Sequence, residues 1–423
     1  MKTIKNSFIL LAAMTLVTSA FAFEEPPAKE DRERQAIVRG NNRFVLELYA
    51  KLRDKEGNLF CSPYSISTAV AMVCAGARGQ TEQQIAEAMH FPIAPAADPA
   101  PPSNLLPRRE QFHRRFRDVM DSLNSRTEKG AYELHVANAL WGQRGCRFYK
   151  EYIELVETNY HGRLTEVDFI TAAERARETI NTWVEKQTKE KIKNLIPPGA
   201  LDRLTRLVLT NAIYFKGSWA SRFEKEGTRQ APFTLTGGDK VNVLMMNQTE
   251  TFNYMQAEDF QVLEMPYVEN ELSMLIFLPK QFDGLNEFER ALSFENLSEW
   301  LMKLRKTKVI ASIPRFKITS EFALTDVLKS MGIKDAFSDK ADFSAMTGMK
   351  DLYISAVLHK AYVDVTEEGT EAAAATGIVV GITSVQPPPP TFRADHPFLF
   401  LIRDNLTGSI LFIGRVMNPA AAS

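Results

Sequence analysis

The chain has 423 residues, a length that leaves open anything between one large domain and about three. Its 51 Lys and Arg against 52 Asp and Glu give a net charge of −1, which argues against a nucleic-acid binder working through a general basic field. With 45% hydrophobic and 24% charged residues and 21 each of Gly and Pro, the composition is globular, far from disordered, collagenous or disulfide-scaffold classes.

Lys2 and Lys5, the apolar run Phe8 to Val17 and the small residues before Phe23 have the layout of a signal peptide over residues 1–22. They predict a secreted protein, extracellular or periplasmic. About ten apolar residues fall short of the roughly 20 a bilayer needs, and no later stretch does better, so no membrane contact is expected. Residues 23–35 are expected to be a charged tail, and 36–423 one domain whose first helix starts near Ala36. Cys61, Cys74 and Cys146 are an odd count, which leaves at least one thiol unpaired. A helix after Cys61 would hold Cys61 and Cys74 roughly 20 Å apart, beyond the approximately 7 Å limit for a bridge.

Ser62 followed by Pro63 predicts an N-cap and a first helical position, leading into an all-round apolar helix through Thr68 to Ala77 that must be buried. A second helix, Thr81 to Met89, takes Thr81 as its cap with Gln84 three residues on. Pro92 to Pro107 reads as a loop insertion. The basic run that follows, with Arg108, Arg109, Arg114 and Arg115, is a weak polyanion contact or a solvated helix face. The second is favoured because no other positive surface supports it.

β-branched and aromatic runs predict strands at 133–141, 207–215, 260–266, 272–278, 309–316, 361–365, 398–403 and 410–416. Asp404 to Ser409 is a hairpin connection in which Asn405 and Gly408 would supply positive φ. Helices concentrated in the N-terminal half and strands in the C-terminal half predict an α+β fold with mainly antiparallel sheets. The six histidines show no metal spacing, and HExxH, CxxC, GxSxG and phosphate-loop motifs are absent, so neither a metal, a cofactor nor an enzyme is expected.

The segment from Glu367 to Ser384 changes character midway. Ala372 to Ala375 favour helix, Ile378 to Val380 and Ile382 favour strand, and an Ala-rich surface loop is the plain alternative. From Ala372 to Ser384 there is neither charge nor proline, so nothing would block entry into a sheet as a central strand. Pro387 to Pro390 would form an extended tether.

Glu367 to Thr376 resembles the reactive-loop hinge of the serpins, inhibitors that trap serine proteases by inserting this loop into their main sheet. The runs 44–52, 58–67, 76–81, 137–141, 211–219, 313–316, 395–398 and 414–419 also resemble family motifs, in the family's order. The resemblance implies about nine helices around three sheets in one monomeric domain, with a loop over about 367–391. Its hinge would be Glu367, Gly369, Thr370, Glu371, Ala372, Ala373, Ala374 and Ala375. Shutter positions would be Ser62, Ser65, Asn211 and His359. Breach positions would be Trp219, Arg315 and Lys360, with Arg315 paired to Glu367.

The family's spacing puts the reactive bond at Thr383–Ser384, with Ile382–Thr383 and Ser384–Val385 as alternatives. Small or β-branched uncharged residues there suit an elastase-like or subtilisin-like protease. A non-inhibitory carrier or chaperone cleaved as a plain substrate is the competing expectation.

Overall fold

The computed structural model describes residues 29–93, 108–127, 132–369 and 388–421. Six helices fall in the first half: α1 (Lys29–Leu52), α2 (Pro63–Gly76), α3 (Gly79–Ala88), α4 (Arg108–Thr127), α5 (Lys150–Tyr160) and α6 (Phe169–Gln187). Four shorter ones follow: α7 (Leu285–Ala291), α8 (Phe294–Met302), α9 (Thr325–Ser330) and α10 (Ser344–Thr347).

α1 starts at Lys29, inside the expected tail. Glu30 and Asp31 sit in its first turn, where the helix dipole favours acids, and Arg115 of α4 pins that turn through Glu30 and Glu33. α2 begins as expected, with the Ser62 hydroxyl accepting from Ser65 N–H, and all of its residues are buried. α3 departs from expectation: it starts at Gly79 and takes no cap from Thr81, whose hydroxyl instead accepts Asp342 N–H. Gln84 likewise turns outward, to the N–H groups of Lys334 and Asp335.

The strands are β1 (Leu59–Cys61), β2 (Tyr132–Gln143), β3 (Arg163–Val167), β4 (Leu207–Gly217), β5 (Arg229–Thr234), β6 (Lys240–Gln256) and β7 (Phe260–Pro266). They continue with β8 (Leu272–Pro279), β9 (Arg305–Pro314), β10 (Phe316–Ala323), β11 (Ile354–Val365), β12 (Thr391–Arg393), β13 (Phe398–Asp404) and β14 (Ile410–Val416). Five of them form a sheet in the order β10-β11-β4-β2-β3. The other nine form β1-β14-β13-β8-β7-β6-β9-β12, with β5 on β6. Two of the three expected sheets are therefore continuous here: the long strand β6 pairs with β5 at its start, with β9 along residues 245–254 and with β7 at its end.

The expected strand over 309–316 is divided at Arg315, so β9 and β10 belong to different sheets. In the Asp404–Ser409 turn only Gly408 takes positive φ. Asn405 instead spends its side chain on Asn270 O and the Ser273 hydroxyl.

The five-stranded sheet is covered on both faces at its centre. One packs under α2 and the main core; the other carries a second cluster of Trp141, Ile180, Val184 and Tyr214 beneath α6. Burial on both sides explains why β4 reads as an almost unbroken apolar run. All three cysteines are free, and burial pushes the Cys61 and Cys74 thiols well above their ordinary value, leaving them inert.

Candidate functional site

β4 and β11 run parallel at the centre of the five-stranded sheet, while β2 and β10 flank them antiparallel. Their ladder runs from Leu207 and Ile354 to Tyr214 and Tyr362 and stops there, although both strands continue for three more residues. Two clusters of polar side chains lie along this seam.

The first is a row in register across three strands: Asn138 of β2, Asn211 of β4 and His359 of β11. All are buried, as are Ser62 and Ser65 at the start of α2 above them. Ser62 N–H donates to His359 Nε2 at 3.2 Å, so Nε2 is the acceptor nitrogen and Nδ1–H donates to Asn211 Oδ1. The Asn211 amide donates in turn to the Ser65 hydroxyl, at 2.5 Å, and to Asn138 Oδ1. Ser62 Oγ donates to Leu411 O at 2.7 Å and ties the network to β14. Burial lowers the His359 pKa to about 3, so the imidazole is neutral, as this hydrogen-bond pattern requires.

The second cluster closes the open end. The chain leaving β11 makes a tight turn in which Thr366 and Gly369 exchange backbone hydrogen bonds, and Gly369 bridges Ser218 just beyond β4. Gly369 has φ +123°, and a Cβ there would fall 2.3 Å from Gly217 O, so only glycine fits. Trp219 donates its indole N–H to Thr366 O at 3.0 Å and stacks on Tyr267 at 4.6 Å. Glu367 is buried and its Oε1 accepts from Arg315 at 2.5 and 2.7 Å and from the Thr228 hydroxyl at 2.5 Å. Burial alone would raise the Glu367 carboxyl, but these donors outweigh it and hold its pKa below the ordinary value. Arg315 reaches Glu367 because it is the single residue between β9 and β10, where the chain changes sheets.

This architecture is shared with known proteins. The family model described as serpin (serine protease inhibitor) matches residues 39–419. The chain belongs to the serpin family. Human Serpin B3 is 42% identical over 390 residues, covering 91% of this serpin and all of that relative. Human leukocyte elastase inhibitor is 42% identical over 396 residues, with the same coverage. Among solved structures, uncleaved ovalbumin has a TM-score of 0.79 at 32% identity, covering 91% of this serpin and all of that chain.

Two expectations are corrected. Serpin B3, Serpin B4 and leukocyte elastase inhibitor are intracellular serpins without signal peptides, which overturns the secreted location; residues 1–22 themselves lie outside the described residues. Lys360 is not with Trp219 and Arg315. It projects from the opposite face of β11 to His359 and bonds Glu321 at 2.9 Å and Lys193 O at 3.0 Å.

Thr370, Glu371, Ala372 to Ala375 and the Thr383–Ser384 bond lie outside the described residues. In the basic run of α4, Arg109 pairs with Glu82, and Arg115 pairs with Glu30, Glu33 and Asp118, while Arg114 is exposed. Asn138, Thr228 and Tyr267 are the participants that sequence reasoning missed. Asn138 was findable: a lone amide inside an apolar strand needs a buried partner.

Proposed function

We propose that this serpin inhibits a serine protease with an elastase-like or subtilisin-like specificity pocket, acting as a suicide substrate and not as an enzyme. The protease's own serine would attack the Thr383 carbonyl carbon, the peptide bond to Ser384 would break, and the Ser384 amine would leave with a proton. The ester that remains tethers the protease while the freed loop enters the sheet before deacylation.

The observation that carries this reading is the β4–β11 seam, a parallel pair whose ladder ends beside the turn at Gly369. A strand returning from Gly369 would run antiparallel to both neighbours. Residues 370–383 in strand geometry span roughly 46 Å, enough to carry a tethered protease across the domain. The uncharged, proline-free sequence from Ala372 supports entry, and the native state would be held by a kinetic barrier. In this reading Ser62, Ser65, Asn211 and His359 hold the seam closed, and Trp219, Arg315 and Glu367 anchor the loop's start. The name of one relative, leukocyte elastase inhibitor, supports the elastase-like target. A polyanion contact at Arg108, Arg109, Arg114 and Arg115 is the weaker element, because two of those guanidiniums already face acids of this chain.

The test is incubation with pancreatic elastase, subtilisin and trypsin, followed by denaturing electrophoresis and mass analysis of the released peptide. A boiling-stable covalent complex with elastase or subtilisin is expected, with a peptide starting at Ser384. Faster trapping of trypsin would overturn the specificity. Clean cleavage with full protease activity remaining would favour a carrier, a reading that has a structural parallel in thyroxine-binding globulin complexed with thyroxine, which has a TM-score of 0.80 at 30% identity.

A further inference from the structure

Tyr214 and Tyr362 are the last register partners of the β4–β11 ladder, so any opening from the Gly369 end must part them first. Each lies three positions along its strand from Asn211 or His359, which places them on the opposite face of the sheet from that network. Their rings lie 5.9 Å apart, and His135 of β2 stacks on Tyr214 at 5.7 Å. The Lys191 ammonium sits over both tyrosines, 5.7 Å from the Tyr214 ring and 5.8 Å from the Tyr362 ring.

The segment that carries Lys191 is fixed in place. The Thr188 hydroxyl donates to Val184 O at 2.9 Å and accepts Ile192 N–H at 3.3 Å, while Lys189 and Glu190 take left-handed φ of 52° and 60°. Ile192 is fully buried and Lys193 O accepts from Lys360, so Lys191 is held between two anchors over the seam. Lys317 provides an internal contrast. Its ammonium is 5.9 Å from the Tyr362 ring and pairs with Asp364 of the same strand at 3.3 Å, so it touches one side of the seam only.

We propose that Lys191 is a positioning residue that clasps Tyr214 of β4 to Tyr362 of β11 and sets the rate at which the seam opens. The inference rests on the loop-insertion reading above. Neighbouring strands are about 4.8 Å apart, so an entering strand would move the two rings to roughly twice that strand spacing. Held at its present height over the seam, one ammonium would then lie roughly 7 Å from each ring, beyond the approximately 6 Å within which cation–π attraction acts. The clasp therefore acts in the closed sheet and is lost in the expanded one.

The experiment uses the full chain and, as probe, a synthetic peptide of residues 370–383 whose annealing into the sheet is followed by native electrophoresis. Lys191→Met keeps the side-chain length and removes the charge; it is expected to raise the annealing rate about five- to tenfold. Lys191→Arg should restore the wild-type rate, and Lys317→Met should leave it unchanged. The thermal midpoint of the peptide-annealed form should be the same for Lys191→Met and wild type, because the clasp is already broken there.

A wild-type annealing rate for Lys191→Met, or equal acceleration by Lys317→Met, overturns the clasp and leaves loop insertion standing. A lowered midpoint of the annealed Lys191→Met protein also overturns it, by showing general loosening of the 188–193 segment. Failure of the wild type to take up the peptide overturns both.

Discussion

Along the β4–β11 seam the network around Asn211 and His359 is uncharged and fully buried, whereas the cluster around Glu367 joins a buried carboxylate to a guanidinium 38% exposed. The first depends on every partner being present, since each group removed orphans another in a medium of low dielectric. The second is cushioned by solvent at Arg315 and by redundancy at Glu367 Oε1, which Thr228 also satisfies. The seam is thus closed in two ways: by neutral hydrogen bonds sensitive to protonation and to the loss of a partner, and by a charged anchor sensitive to salt.

Acid should separate the two most widely. His359, with its pKa lowered to about 3 from an ordinary 6.5, binds its proton more readily when unfolded, so native stability falls as pH drops from about 6.5 toward 3. By pH 4 this group alone removes on the order of 3 kcal/mol. His113, lowered to about 4 chiefly by burial and then by Arg78 and Arg109, adds in the same direction and window. Glu367 has a depressed pKa and loses its contribution only below about pH 4.5. Unfolding midpoints at a fixed scan rate should therefore fall between pH 6.5 and 5 in the wild type and in Arg315→Gln alike. A flat profile over that range would sink the assignment of a neutral His359.

Next in size, Asn211→Leu strands His359 Nδ1–H and leaves the Ser65 hydroxyl and Asn138 Oδ1 only their mutual contact at 3.4 Å; it should cost about 3–4 kcal/mol, measured as a lowered midpoint. Gly369→Ala combines a disallowed φ with a backbone clash and should cost about 2–3 kcal/mol. Its local signature is faster exchange of Trp219 N–H, which bonds Glu368 O at 3.1 Å. Arg315→Gln should cost about 1–2 kcal/mol, an effect reduced further at 1 M salt. If Arg315→Gln proved as costly as Asn211→Leu, the contrast between the clusters would disappear.

Much of this was legible in the chain itself. The Ser62–Pro63 helix start, the fully apolar α2 and the closing hairpin strands follow from capping, periodicity and turn chemistry, all local. Boundaries were less legible where long-range partners decided them. Thr81 gave up its cap to a distant N–H, and Arg115 extended α1 into a stretch whose composition reads as a solvated tail. β6 was not foreseen, because the polar run Asn247 to Thr251, none of it buried, interrupts its apolar residues.

By itself the sequence determined which segments could be helix or strand, and that the stretch from Ala372 to Ser384 carries neither charge nor proline to bar it from a sheet. Only the tertiary structure decided that Arg315 falls where β9 gives way to β10 and so meets Glu367, that Asn138 completes the row with Asn211 and His359, and that Lys360 faces away. The physical reason is the two-residue period of a strand. It ranks neighbours as same-face or opposite-face, but which face is core, and which side chain waits there, is set by segments hundreds of residues away.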